Sequence, residues 1–162
     1  MAKVDYFLKI KGIDGESTDE KHKGEIELIS YSLGGTNAGS FQSGGGGGSG
    51  KVALHDFTFV KKVDKSSAKL FAAMCAGDHY DDATLVCRRA GKEQQEFLTV
   101  ALTQVIVSSF KHLGSEGAET IPNDTVTLNF GKVEFKYKEQ KPDGSLGGEI
   151  IGGWDQTKNK VV

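Results

Sequence analysis

A mainly β fold, a small antiparallel β-barrel carrying one short α-helix, is what this sequence predicts. Apolar residues alternate with period two through most of the chain. The alternation changes phase at several points, as it must where a bulge bends a strand. Only one stretch, Asp64 to Gly77, carries a helical pattern. About eight strands with repeated bulges and a single helix fit a small antiparallel barrel or sandwich.

Residues 4–10 place Val4, Tyr6, Leu8 and Ile10 on one face and Asp5 and Lys9 on the other, interrupted by Phe7, which predicts a strand with one wet side. Gly12 to Gly24 is polar and reads as a surface loop. His22 lies within it with no partner at ligand spacing, and is expected to be a solvated histidine rather than a metal ligand. In residues 25–33 the apolar parity switches from Ile26 and Leu28 to Ile29, Tyr31 and Leu33. Either a bulge sits near Leu28 or both faces are covered there. Opposite Tyr31 the strand carries Ser30 and Ser32, small, neutral and hydroxylic; that face meets solvent in a monomer and could line a channel in a ring.

The stretch Ser43, Gly44, Gly45, Gly46, Gly47, Gly48, Ser49, Gly50, closed by Lys51, has no side chain larger than Ser before the lysine. Such residues cannot pack a core and lose much backbone entropy on ordering, so the composition predicts a flexible glycine-rich arm. It could serve as a hairpin connection, a linker, a phosphate cradle or an arm ordered by a second molecule. Gly45, Gly50 and Lys51 fit G-x-x-x-x-G-K, but Val52 stands where Mg²⁺ needs a hydroxyl and a strand pattern follows in place of a helix.

Residues 52–60 are apolar on both sides, with Phe57 and Phe59 opposing Val52, Leu54 and Val60. His55 and Asp56 are adjacent on a strand, so they point to opposite faces and cannot act as a pair. The helix begins at a cap among Asp64, Ser66 and Ser67, carries Leu70, Phe71 and Met74 as an apolar stripe, and ends at Gly77. It is expected on the barrel or against a neighbour. Cys75 lies four residues before His79, near Asp81 and Asp82, too few ligands for zinc. Strands resume at 83–90, turn at Gly91 and Lys92, and run from Gln95 to Phe110 with a phase change near Thr103. Residues 125–138 alternate on both sides of Gly131, a glycine at the phase change. Pro142 to Gly144 is a turn, Leu146 to Gly148 a flexible piece, and Trp154 a core or interface anchor.

The length of 162 residues suits one domain over 1–162. With 20 basic and 22 acidic residues the net charge is -2, which argues against a nucleic-acid surface held by bulk positive charge. Glycine, at 22 residues, is about twice its usual share of roughly 7%, while proline is only 2; the surplus points to turns and bulges. No Sec-type signal or membrane-spanning run is visible, so a cytoplasmic start is expected, with no membrane insertion. Two cysteines, Cys75 and Cys87, suit a reduced pair, and sequence does not settle whether they bridge. No acid/base pair, nucleophile or ligand cluster is signposted, so no catalytic residue, cofactor or metal is expected.

Five stretches in order, Lys21-His-Lys-Gly-Glu-Ile26, the arm Ser43 to Lys51, Lys62-Val-Asp-Lys-Ser66, Val126-Thr-Leu-Asn-Phe130 and Gly153-Trp-Asp155, together resemble the Hcp family, the haemolysin-coregulated proteins of the bacterial type VI secretion inner tube. The resemblance runs from Met1 nearly to the C-terminus. It implies a phage tail-tube-like barrel forming homo-hexameric rings that stack into a tube. It also implies export by a contractile sheath without a Sec signal, a VgrG-type spike at the tip, and small effector proteins carried in the lumen. On this resemblance the arm Ser43 to Lys51 belongs to the contact between rings, and Ser30 and Ser32 to the lumen. The competing expectation is a ligand-binding β-sandwich, for instance a glycan module using Trp154 or Tyr80.

Overall fold

The computed structural model describes residues 3–39, 51–91, 93–117 and 121–162. Eleven strands and one helix follow in the order β1 Val4–Ile10, β2 Ile26–Glu27, β3 Ser30–Ser32, β4 Gly35–Asn37, β5 Val52–Leu54, β6 Phe57–Lys62, α1 Ser66–Ala76, β7 His79–Arg89, β8 Glu96–Leu113, β9 Asn123–Gln140, β10 Leu146–Asp155 and β11 Lys160–Val161. Every pairing is antiparallel.

The main sheet runs β11-β10-β9-β8-β7-β1-β2, and β6 pairs with both β9 and β3. One detail of the barrel expectation is corrected: the strand order stays open. The reason lies in residues 26–32, where the sequence changes phase. Ile26 and Glu27 pair with β1, Ser30 to Ser32 pair with β6, and the two residues between them are handed from one edge to the other. Leu28 donates its N–H to Tyr6 and Ile29 to Val60. The sheet therefore curls until one short segment touches both ends, but no continuous ladder closes it.

Leu8, Ile26, Phe57, Phe59, Leu70, Val100, Val105, Val126 and Leu128 are fully buried inside this curl. The phase changes expected near Thr103 and at Gly131 fall opposite one another. Thr103 pairs with Lys132 and Val105 with Phe130, which leaves Gln104 facing Gly131. Gln104 adopts φ 57, and a Cβ on Gly131 would sit 2.5 Å from its Oε1. The register of β8 and β9 runs unbroken through this point, and its one shift falls between Val107 and Ser109.

α1 packs against β8 through Leu70 and Ala73, and Gly77, at φ 69, ends it with an N–H bond to the Ala73 carbonyl. At its start the Asp64 carboxylate accepts the Ser66 N–H at 2.8 Å. Leu146 to Gly148, expected as a flexible piece, is instead the start of β10 with an irregular register. Phe7 is buried while Lys9 on the same side is exposed and Asp5 half-exposed, so the expected wet side of β1 is covered only at Phe7. The loop after β1 folds back over that side.

Candidate functional site

Two exposed serines, an apolar overhang and two buried ion clusters stand out among the described residues. Ser30 and Ser32 are exposed on the outer face of the curl, paired with Val60 and Thr58 of β6. Thr58 in turn pairs with Thr127 of β9, and Thr127 with Ser109 of β8. Ser32, Thr58, Thr127 and Ser109 thus form one row across four strands. Thr127 Oγ1 lies 2.7 Å from Ser108 Oγ and 2.6 Å from Ser109 Oγ, while Ser108 and Asn129 both donate to Asp56. The four residues of the row are hydroxylic, and the Asp56 carboxylate lies beside them, bonded to Ser108.

Lys51 is exposed at the foot of the β4–β5 hairpin. The rest of the arm, Ser43 to Gly50, lies outside the described residues. Val52 begins a strand, so the residues after Lys51 offer no helix N-terminus to a phosphate.

Sequence reading missed the overhang. On the core face, Leu98, Val100 and Leu102 of β8 are buried and pair with Tyr137, Phe135 and Val133 of β9, which pair with Ile150, Gly152 and Trp154 of β10. The apolar face therefore continues past the edge of the curl. There Phe135 is 45%, Tyr137 38% and Ile150 67% exposed, and Val161, opposite Trp154, is 73% exposed. A contiguous apolar patch of this kind marks a contact surface. The alternation of residues 133–137 was readable; that nothing among the described residues covers its end was not.

The first ion cluster fixes the start of α1. Lys61, fully buried, donates to Asp124 at 2.8 Å, Asp64 at 2.9 Å and Ser67 at 2.9 Å. Asp124, also fully buried, accepts from Ser67 and is bonded to His112 Nδ1 at 2.7 Å. Burial pushes the Asp124 carboxyl up, but bonds from Lys61, Ser67 and His112 outweigh it and hold the group below the ordinary carboxylate range.

The second cluster straps the loop before β2 onto β1. His22 is buried, against the expectation of a solvated ring: it stacks on Phe7 with centroids 4.3 Å apart, and its two nitrogens lie 2.9 Å from Glu25 and 2.7 Å from Glu96. Arg88 grips Asp19 with two bonds, of 2.9 and 2.6 Å, while its guanidinium lies 4.8 Å from the Phe7 ring centre. The Arg88 bond brings the Asp19 carboxyl down to about 2. Both cysteines are free thiols. Burial raises the Cys87 pKa, and its Sγ lies 3.6 Å from the Tyr31 hydroxyl, whereas Cys75 is exposed. No helix among the described residues is long and apolar enough to cross a membrane.

Known proteins share this architecture. A family model described as "Type VI secretion system effector, Hcp" matches residues 7–137. Protein hcp1 of Pseudomonas aeruginosa is 43% identical over 158 residues, covering 96% of this chain and 97% of its own. The crystal structure of Hcp1 from Salmonella typhimurium aligns over all of both chains with TM-score 0.80 and 34% identity. A structure titled as that of a type six secretion system protein covers 99% of this chain and 100% of its own, with TM-score 0.93 and 30% identity.

Proposed function

The chain belongs to the Hcp family and is a structural tube protein of the type VI secretion system, and from that premise we propose that it closes into hexameric rings which stack head to tail. The overhang carries the reading. A monomer that leaves Phe135, Tyr137 and Ile150 facing water forgoes about 25 cal/mol for every Å² of apolar surface left wet, and a second copy removes that cost. A ring formed from one kind of chain uses two different patches per copy, and rings with two unlike ends can continue as a filament.

In this arrangement Ser30 and Ser32 face the lumen, which passes small effector proteins. The arm Ser43 to Lys51 lies between rings. A contracting sheath drives the tube, with a VgrG-type spike at its tip, out of the cytoplasm. Side chains that are small and uncharged suit a channel that must hold cargo and then release it.

Sizing of the full chain by light scattering together with negative-stain microscopy tests the reading. Closed rings are expected; a strict monomer at high micromolar concentration would sink it. Ser32→Lys, placed in the lumen, is expected to leave rings intact and to lower effector retention. Loss of the ring itself would show that Ser32 packs between subunits.

A further inference from the structure

We propose that the outward face of α1 is the seat on which the β9–β10 overhang of the next copy rests, an inference that depends on the ring reading above. The helix Ser66–Ala76 contains one charged residue, Lys69. Its inward stripe is Ser66, Leu70 and Ala73, all buried, with Met74 half-buried. One stripe further round stand Ala68, Phe71, Ala72 and Cys75, spaced i, i+3, i+4, i+7, and every one of them is exposed. An ordinary surface helix has a charged or polar face opposite its core stripe, and a helix that is apolar all round is a buried helix. This helix has apolar stripes on two sides but only one sheet beneath it. Nothing among the described residues covers the second stripe.

The cover is a second copy, because the chain itself carries the complementary surface. The α1 face is flat, built of alanine and cysteine with Phe71 at its margin, where its ring meets Phe110 edge-on at 5.8 Å. The overhang is the reverse: Phe135, Tyr137 and Ile150 project from the sheet, and Gly152 lies beside Phe135. Large side chains projecting from one surface fill the space left by small ones on the other, the usual condition for close packing.

Neither face covers the other within one molecule, since Phe71 is 53%, Phe135 45% and Ile150 67% exposed. The helix sits by Phe110 and the overhang begins at the Leu98 row, twelve residues away along β8, or roughly 40 Å of strand at about 3.3 Å per residue. Two complementary apolar faces at opposite ends of one chain are the elements of a heterologous contact, which closes into a ring when the rotation permits. Pairing them also removes both exposed patches with a single contact.

Cys75 supplies its own probe. Ile150→Cys places a thiol on the overhang, and mild oxidation of the assembled variant is expected to give a ladder of disulfide-linked subunits on non-reducing gels. Adding Cys75→Ser should abolish that ladder. If sizing shows rings while no Cys75-dependent ladder forms, the seat lies elsewhere and this inference fails, though the ring reading stands. If the parent chain itself forms no rings, both fail. Ala72→Arg gives a second arm: Ala72 is exposed and arginine is a good helix former, so the fold and its melting should hold while rings give way to monomers. Rings that persist unchanged in Ala72→Arg would overturn the assignment.

Discussion

At one end of β9, Val126, Leu128 and Phe130 are no more than 2% exposed beneath neighbouring strands; at the other end Phe135 and Tyr137, on the same face of the same strand, stand largely open. The residue types are alike, and so is the pairing with β8. What differs is the partner on the far side, since β6 and β3 curl over the first end while β10 merely extends the sheet at the second. Hydrophobic alternation records that a face will be buried without recording by which chain. Half of this face is settled by folding, and the other half stays open among the described residues.

Identical substitutions at the two ends test that division most strongly. Phe57→Ala opens a cavity in the closed half and is expected to cost about 3–5 kcal/mol of monomer stability, read from the urea midpoint. Phe135→Ala, at a position already facing water, should change monomer stability by less than about 1 kcal/mol and should instead weaken rings, read by sedimentation. Equal losses of stability at the two positions would erase the distinction.

Asp124→Ala is expected to be nearly as costly as Phe57→Ala. It strips the main partner from Lys61, which has no water to turn to, and removing one member of a buried pair costs about 3–5 kcal/mol because the other charge stays buried alone. Thermal or urea unfolding measures it. A loss below about 1 kcal/mol would mean that Asp64 and Ser67 suffice to hold the lysine.

Much of the closed half was legible in the sequence. Phase changes at Gly131 and near Thr103 marked a point where both strands turn over together, although the register runs through it unbroken and the β8–β9 shift falls between Val107 and Ser109, and the switch at Leu28 marked the handover between β1 and β6. Ser30 and Ser32 were placed on an outer face by parity alone, and they lie there. The ion clusters escaped because their members are distant in sequence: His22 meets Glu96 across 74 positions and Lys61 meets Asp124 across 63. The helix was legible only in part. Leu70, Phe71 and Met74 read as one stripe, yet Leu70 and Ala73 turn inward while Phe71 turns out. Where both sides of a helix are apolar, periodicity cannot say which side meets the protein's own sheet.

The smallest predicted effect belongs to the strap over Phe7, whose Asp19 bonds Arg88 of β7 and no residue of β9 or β10, and so serves as a control for the overhang. Asp19 is held by Arg88 with its carboxyl at about 2, below the ordinary 3.8. A carboxyl whose folded pKa is lowered adds stability that is fully present above the unfolded value and disappears as pH falls through the folded one. Asp19→Asn should therefore lower the urea midpoint at pH 7, and the gap between the two proteins should close between about pH 4 and pH 2, the window set by 3.8 and about 2. Ring formation at neutral pH should be unaffected, because the strap covers β1 and not the β9–β10 edge. Midpoint curves that ran parallel down to pH 2 would show that Asp19 holds the loop by shape rather than charge, and loss of rings at pH 7 would extend the assembly surface to the strap.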